Sequence, residues 1–143
     1  MISFRSRLGW SQGLCVGVMF AALASALPDR VSLAADAFPF DEELLLDAKP
    51  MRGSKRIPML DIKADGAVLI GLWCNSVQGR LVVAGNTITV LTSPKTSQSC
   101  TPEREQRDAE LLSALEQVTT WRRDGTSVVL IGPQSLRFHR ATN

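Results

Sequence analysis

The chain has 143 residues, a formal net charge of +2 and 21% charged residues, a composition that is ordinary for a globular protein. The basic excess lies in the first 35 residues, which hold three of the 16 basic side chains and one of the 14 acidic ones, so the remainder is neutral. A neutral domain gives no electrostatic reason to expect nucleic acid or an anionic membrane surface as a partner.

The first predicted element is a secretory signal peptide over residues 1–35, which is removed on export. Two arginines precede an apolar run at 13–27, which is shorter than the roughly 20 residues that span a bilayer. Small residues suited to signal peptidase occur at 24–26 and at 32–35, and polar residues ahead of the second site favour cleavage there. An uncleaved membrane anchor is the alternative. We expect a periplasmic or secreted protein with no stable membrane span after processing.

Residues 36–56 are predicted to form an N-terminal arm and loop, ahead of a domain at 57–143. Within the arm, Glu43 to Asp47 favours either a first strand or a helical turn. The loop that follows is a candidate binding loop because of its four cations, Lys49, Arg52, Lys55 and Arg56. A solvated surface loop is the commoner meaning of such a run.

Seven stretches beyond residue 57 carry strand patterning, at 60–64, 67–74, 81–83, 87–91, 120–123, 127–131 and 136–140. Asp65-Gly66 and Asp124-Gly125 are typical two-residue hairpin turns, and Asn75-Ser76 with Gly79 predicts another turn. The stretch at 67–74 is apolar on both faces, which favours a central position in the sheet.

One helix is predicted over about 102–119. Thr101 is a good N-cap, Pro102 fits the first helical position, and acidic residues follow where the helix dipole favours them. An apolar stripe at helical spacing completes the pattern, with Leu111, Leu112, Leu115 and Val118. The fold class is therefore α+β, mostly antiparallel β-sheet of six to eight short strands with one helix.

Cys74 and Cys100 are the cysteines that remain after the signal peptide is removed. In an oxidising compartment such a pair favours a disulfide, and the alternatives are two buried thiols or one thiol that pairs elsewhere. A bridge would close a loop of some 25 residues and stabilise the fold by roughly 3–4 kcal/mol. Trp73 beside Cys74 is expected to pack against the bridge rather than to stack on a sugar.

The sequence offers little catalytic chemistry. His139 is the single histidine, and no cysteine or histidine spacing typical of a zinc site is present. No glycine-rich phosphate loop follows a strand and opens a helix. We therefore predict no catalytic residue, no metal and no cofactor, and we expect the protein not to be an enzyme.

The chain also carries an ordered set of features: Gly-Leu-Trp-Cys-Asn at 71–75, then Gly79, a second cysteine at Cys100, an acidic helix and a final hairpin. This order resembles the META domain family, the HslJ-like heat-shock proteins of bacterial envelopes, over about residues 57–140. Cys74, Asn75 and Gly79 match the family motif, whereas Trp73 stands where the family usually has glycine. The resemblance implies a small mixed β fold linked with heat and envelope stress or antibiotic tolerance, and it brings no settled catalytic site.

The leading hypothesis is a monomeric, non-enzymatic exported module that contributes to stress tolerance by binding an envelope protein or another envelope component. The alternative is a secreted inhibitor of a hydrolase, a lysozyme or a protease, which would insert loop 49–56 or 93–99 into a cleft. An envelope enzyme that uses carboxylates such as Asp61, Asp65 and Asp124 is less favoured.

Overall fold

The computed structural model describes residues 37–141, a segment that contains eight β-strands and one α-helix. In chain order they are β1 (Glu42–Leu46), β2 (Met59–Ile62), β3 (Ala67–Gly71), β4 (Ser76–Ala84), β5 (Thr87–Thr92), α1 (Pro102–Glu116), β6 (Thr120–Asp124), β7 (Ser127–Ile131) and β8 (Leu136–Arg140). The signal peptide predicted at 1–35 lies outside the described residues. Within 37–141 no helix is both long and apolar enough to cross a bilayer.

The strands form a closed barrel in which each strand is paired with its neighbours along the chain. All the pairings are antiparallel, and β1 closes the barrel against β8, with Leu45 opposite His139. The predicted α+β class, mostly antiparallel with six to eight strands and one helix, is confirmed. The pairing between β5 and β6 is the shortest, with Thr87 opposite Thr120, and α1 packs beside β5.

Strand β1 lies in the segment that the sequence pattern assigned to an arm ahead of the domain. Leu44 and Leu46 are 1% and 8% exposed, while Leu45 between them is only partly buried. Burial of every second residue requires a strand, so the strand and not the helical turn is correct for this stretch. Because β1 pairs with both β2 and β8, the domain includes residues ahead of 57.

Since consecutive strands run in opposite directions, alternate connections lie at opposite ends of the barrel. One end carries tight turns, including the two predicted hairpin turns, where Gly66 and Gly125 adopt φ angles of 85° and 62°. The other end, called the loop end below, carries the connections at 47–58, 72–75, 93–119 and 132–135. Loops of this size on a rigid barrel are where binding sites usually form.

The turn predicted at Gly79 is wrong, because this glycine lies inside β4. A Cβ atom there would collide with the backbone carbonyl of Leu91 on β5, and it would lie 3.4 Å from Cγ1 of Val68 on β3. Close approach of neighbouring strands, rather than a turn, therefore requires glycine at this position.

The barrel interior is filled by side chains from the strands. The most deeply buried of them include Leu44, Ile62, Ile70, Ile88, Leu130 and Phe138. An interior formed by eight strands is just wide enough to be filled in this way. Phe38, ahead of β1, packs edge-on against Trp121 with ring centroids 5.0 Å apart. Leu69 is 40% exposed, so the strand that was predicted to be central has one face in solvent, as strands of a barrel do.

The helix begins where the sequence predicts and ends earlier. Pro102 occupies the first turn, but the Thr101 side chain makes no capping hydrogen bond; its carbonyl accepts from the amides of Arg104 and Glu105. The helix ends at Glu116, and the Thr119 amide already donates to the carbonyl of Ile131 on β7 at 2.9 Å. Pairing with β7 therefore takes the chain out of the helix before residue 119.

Candidate functional site

The connection from β3 to β4 is the structural centre of the loop end. It carries Trp73, Cys74 and Asn75, all buried. The predicted disulfide is present: Cys74 is bonded to Cys100, with their Cα atoms 6.3 Å apart. The bridge holds Cys100, two residues ahead of α1, against Cys74 and Asn75, which are called the Cys-Asn turn below.

A buried carboxylate of the helix fixes the same turn. Asp108 is 0% exposed and accepts hydrogen bonds from the amides of Cys74, at 3.1 Å, and Asn75, at 2.8 Å. It also accepts from the Asn75 side-chain amide at 3.1 Å. Each carboxylate oxygen is thus engaged by a donor that would otherwise be buried without a partner. The arrangement is structural, because every donor belongs to the protein itself.

The side chain of Asn75 continues this network into the loop ahead of the helix. Its oxygen accepts from the Thr96 hydroxyl at 3.1 Å and from the Gln98 amide at 2.9 Å. The Thr96 amide in turn donates to the carbonyl of Ser76, the first residue of β4, at 2.9 Å. These hydrogen bonds to Thr96 and Gln98 therefore fix the middle of the exposed loop at 93–99.

The candidate binding loop at 49–56, called the basic loop below, contributes both anchors and exposed cations. The Arg56 guanidinium donates to the Cys74 carbonyl at 2.9 Å, and Arg104 of α1 donates to the Gly53 carbonyl at 3.1 Å. These two bonds attach the loop to the Cys-Asn turn and to the helix. Lys49, Arg52 and Lys55 are exposed and make no hydrogen bond or ion pair with any residue of 37–141. Of the four predicted binding cations, Arg56 is thus an anchor and the other three face solvent.

A groove of about 510 Å³ opens at the loop end. Its lining comes from β1 and β8 and from all four connections of that end: Leu46, Ala48, Lys49, Pro50, Met51, Trp73, Glu103, Arg107, Glu110, Leu111, Gln134 and Leu136. The volume lies within the range of small-ligand sites, about 300–1,000 Å³. Of the predicted binding residues, Lys49 alone lines the groove.

The groove has an apolar floor and a polar rim. The floor is formed by Leu46, Trp73, Leu111 and Leu136, each of which is 6–9% exposed. Trp73 lies two residues beyond the end of β3, and the next residue, Cys74, is fixed by the disulfide and by Asp108. On the helix side of the rim, Glu110 accepts from Arg107 at 3.2 Å and from Gln106 at 3.0 Å. The groove can therefore hold an apolar group of a ligand on its floor while the charged side chains of the rim bind polar or charged groups of the same ligand.

The three carboxylates considered for catalysis do not meet. Asp61 on β2 pairs with Lys63 at 3.0 Å, Asp65 accepts from the Ala67 amide in the next turn, and Asp124 ends β6. The hydrogen bond that Lys63 donates to Asp61 raises the pKa of Lys63, and the one that Arg137 donates to Asp124 lowers the pKa of Asp124, in each case at the exposed surface. These shifts are those of surface ion pairs, not of a catalytic pair in a cleft.

The histidine of the chain lies apart from the two bridged cysteines. His139 is exposed on β8, opposite Leu45 and Ser127, and away from both cysteines of the bridge. Within residues 37–141 no group of three or more histidine, cysteine or acidic side chains could hold a metal ion. The groove, rather than a titrating cluster, is therefore the candidate site.

Comparisons with known proteins agree with the fold and identify a family. The family model described as "META domain" matches residues 42–143. A protein from Burkholderia xenovorans solved by NMR is similar in fold, with a TM-score of 0.59 and 20% identity over 82% of this chain and 98% of that chain. A second NMR structure has a TM-score of 0.54 and 14% identity over 69% of this chain and 88% of that one. No curated protein matches the chain.

Sequence reasoning missed Asp108 and the groove. Asp108 is assigned no role in the sequence analysis, although this residue precedes Leu111 by three residues and Leu115 by seven and so shares their stripe. A charged residue on an apolar stripe is the signal that could have identified a buried, fully bonded carboxylate. The groove had no such signal, because its lining comes from segments far apart in the chain.

Proposed function

Because this chain belongs to the META domain family, we propose that it is an exported, non-enzymatic module that contributes to envelope stress tolerance by binding an envelope component. The observation that carries the proposal is the groove at the loop end, where a rigid barrel presents an apolar floor inside a charged rim. Such a surface provides contacts for a ligand, and its lining contains no serine, cysteine or histidine.

Export is tested by the amino terminus of the protein as cells produce it. The proposal expects a mature chain that begins near Ala35 or Asp36 in the periplasmic or secreted fraction. An intact chain in the cytoplasm would contradict it. Residues 1–35 carry the targeting pattern, so their deletion should leave the protein in the cytoplasm.

Binding through the groove is tested by a matched pair of variants. Gln134 is an exposed residue on the rim of the groove, and Gln78 is an exposed residue on the outer face of β4. Gln134→Trp places a large ring over the groove, whereas Gln78→Trp places the same ring elsewhere. We expect wild type and Gln78→Trp to enrich the same component from an envelope extract, and Gln134→Trp to lose it. Equal enrichment by all three proteins, or none by the wild type, contradicts the proposal.

The loop at 93–99 favours a second candidate, an inhibitor of a hydrolase. Every residue of this loop is exposed, yet its backbone is fixed by Asn75, by the Gln78 carbonyl that accepts from Ser93, and by the disulfide that follows. A rigid exposed loop loses little conformational entropy when it enters a cleft. Assays against lysozymes and proteases, with Lys95→Ala as the loop variant, test this function. Inhibition by wild type that weakens with the variant supports it, and no inhibition of any hydrolase ends it.

A further inference from the structure

The charge and depth of the groove point to one class of ligand. We propose that it binds an acidic peptide segment of a partner protein, with one apolar side chain on the floor and neighbouring carboxylates on the basic loop. The inference rests on the proposed function, because it takes the groove as the binding site.

The floor accommodates one side chain rather than a long apolar tail. Leu46, Trp73, Leu111 and Leu136 are each less than one tenth exposed, so the apolar surface that they offer is small. An acyl chain would need a continuous apolar channel in which most of its surface is buried. A single leucine-like or aromatic side chain needs only a shallow apolar floor, and Trp73 is the aromatic residue of this one.

The rim selects for negative charge. Lys49 lines the groove, and Arg52 and Lys55 follow it in the same loop; none of the three has a carboxylate partner within 37–141. On the opposite side of the rim, Glu110 is already neutralised by Arg107 at 3.2 Å. Glu103 is the other acidic side chain of the lining, and it has no ion pair within 37–141. The groove and the loop beside it therefore carry three unpaired cations and one unpaired carboxylate, which is an excess of positive charge.

The cations stand on a fixed backbone. Arg56 bonds the Cys74 carbonyl, and the Gly53 carbonyl is held by Arg104 of the helix, so the loop is attached on either side of Lys55. The apolar floor can bind one apolar side chain of an extended peptide. The cations of the fixed loop next to it can bind acidic residues that neighbour that side chain.

The test is a selection of random heptapeptides displayed on phage against the purified protein, followed by anisotropy titration of the enriched peptides with a fluorescent label. The test variant is Lys49→Glu/Lys55→Glu, and the control variant is Arg80→Glu/Lys95→Glu, which makes the same change of net charge away from the groove. We expect enriched peptides to place aspartate or glutamate beside a leucine, phenylalanine or tryptophan. The test variant should weaken their binding by about tenfold or more, and the control by about twofold or less.

Other outcomes overturn the inference. Enrichment of basic or purely apolar peptides, no enrichment, or equal loss in both variants would each contradict an acidic peptide ligand. A parallel titration with dodecanoate covers the lipid possibility, and binding of dodecanoate without any peptide also overturns it. If the peptides fail while Gln134→Trp still abolishes capture of an envelope component, the proposed function stands and the ligand class is wrong. If Gln134→Trp has no effect on capture, the proposed function itself fails.

Discussion

Replacing Asp108 by alanine removes the shared acceptor of three buried hydrogen bonds. The donors are the backbone amides of Cys74 and Asn75 and the side-chain amide of Asn75. Each buried donor left without a partner costs about 1–3 kcal/mol, and some relaxation or entry of water is expected once the carboxylate is gone. We expect Asp108→Ala to lower the free energy of unfolding by about 3–5 kcal/mol. That loss is a large part of the 5–15 kcal/mol that is typical of a domain.

Urea unfolding, followed by circular dichroism, measures this loss. The midpoint should fall at an unchanged slope if the variant loses stability without a change in compactness. Glu105→Ala is the control, because it removes an exposed carboxylate from the first turn of the same helix and should cost about 0.3–1 kcal/mol. Asp108→Asn keeps one acceptor oxygen and should fall between the two.

A loss below about 1 kcal/mol for Asp108→Ala would refute the reasoning, because it would mean that the three donors find water without cost. A double-mutant cycle with Asn75→Ala sharpens the result. Since the two side chains share one network, the sum of the two individual losses should exceed the loss of the double variant by about 0.5–3 kcal/mol. Additive losses would show that the network does not act as a unit.

Three further predictions concern the disulfide, the glycines and pH. Cys100→Ser should lower the free energy of unfolding by about 3–4 kcal/mol in urea without reductant, and reductant should change wild type alone; equal stability of the two proteins contradicts this. Gly79→Ala should cost about 3 kcal/mol or more because its Cβ meets a backbone carbonyl, whereas Gly85→Ala, in open space at φ 59°, should cost about 1–2 kcal/mol by thermal unfolding. A reversed order would show that backbone conformation outweighs the collision. The hydrogen bond from Arg137 holds the pKa of Asp124 below its ordinary value, so this pair stabilises the fold above that value and the gain is lost as pH falls. Asp124→Asn should therefore flatten the acid side of the melting temperature profile, and an unchanged profile contradicts this.

Local patterns predicted the local structure well. The hairpin turns require positive φ angles at Gly66 and Gly125, and the Asp-Gly pairs in the sequence predict such turns. The start of the helix is predicted by Pro102 and by the acidic residues that follow it. The disulfide is predicted from the count of cysteines once the predicted signal peptide is set aside. In each case the cause lies within a few residues or in a simple pairing, so a sequence pattern can reveal it.

Features that depend on distant segments were harder to predict. The local sequence predicts a turn at Gly79 because glycine is common in turns. In the structure glycine is required there because a Cβ atom would collide with the carbonyl of Leu91 on another strand. The barrel is closed by the pairing of β1 with β8. The leucines of β1 indicate a strand but not the strand with which it pairs. The sequence predicts Trp73 only as a neighbour of the bridge, whereas its place in the floor of the groove depends on residues of β1, α1 and β8.

The pairing of β1 with β8 sets the order in which this protein can fold. Leu44 lies opposite Arg140, so the first strand meets its second partner only after the last strand has left the ribosome. At about 5–20 residues per second, that wait lasts about 5–20 s, far longer than a hairpin takes to form. During that time β1 has one unpaired edge, which other chains can join. A chain built in this way needs either a partner that shields its first strand or rapid transfer to the place where it folds.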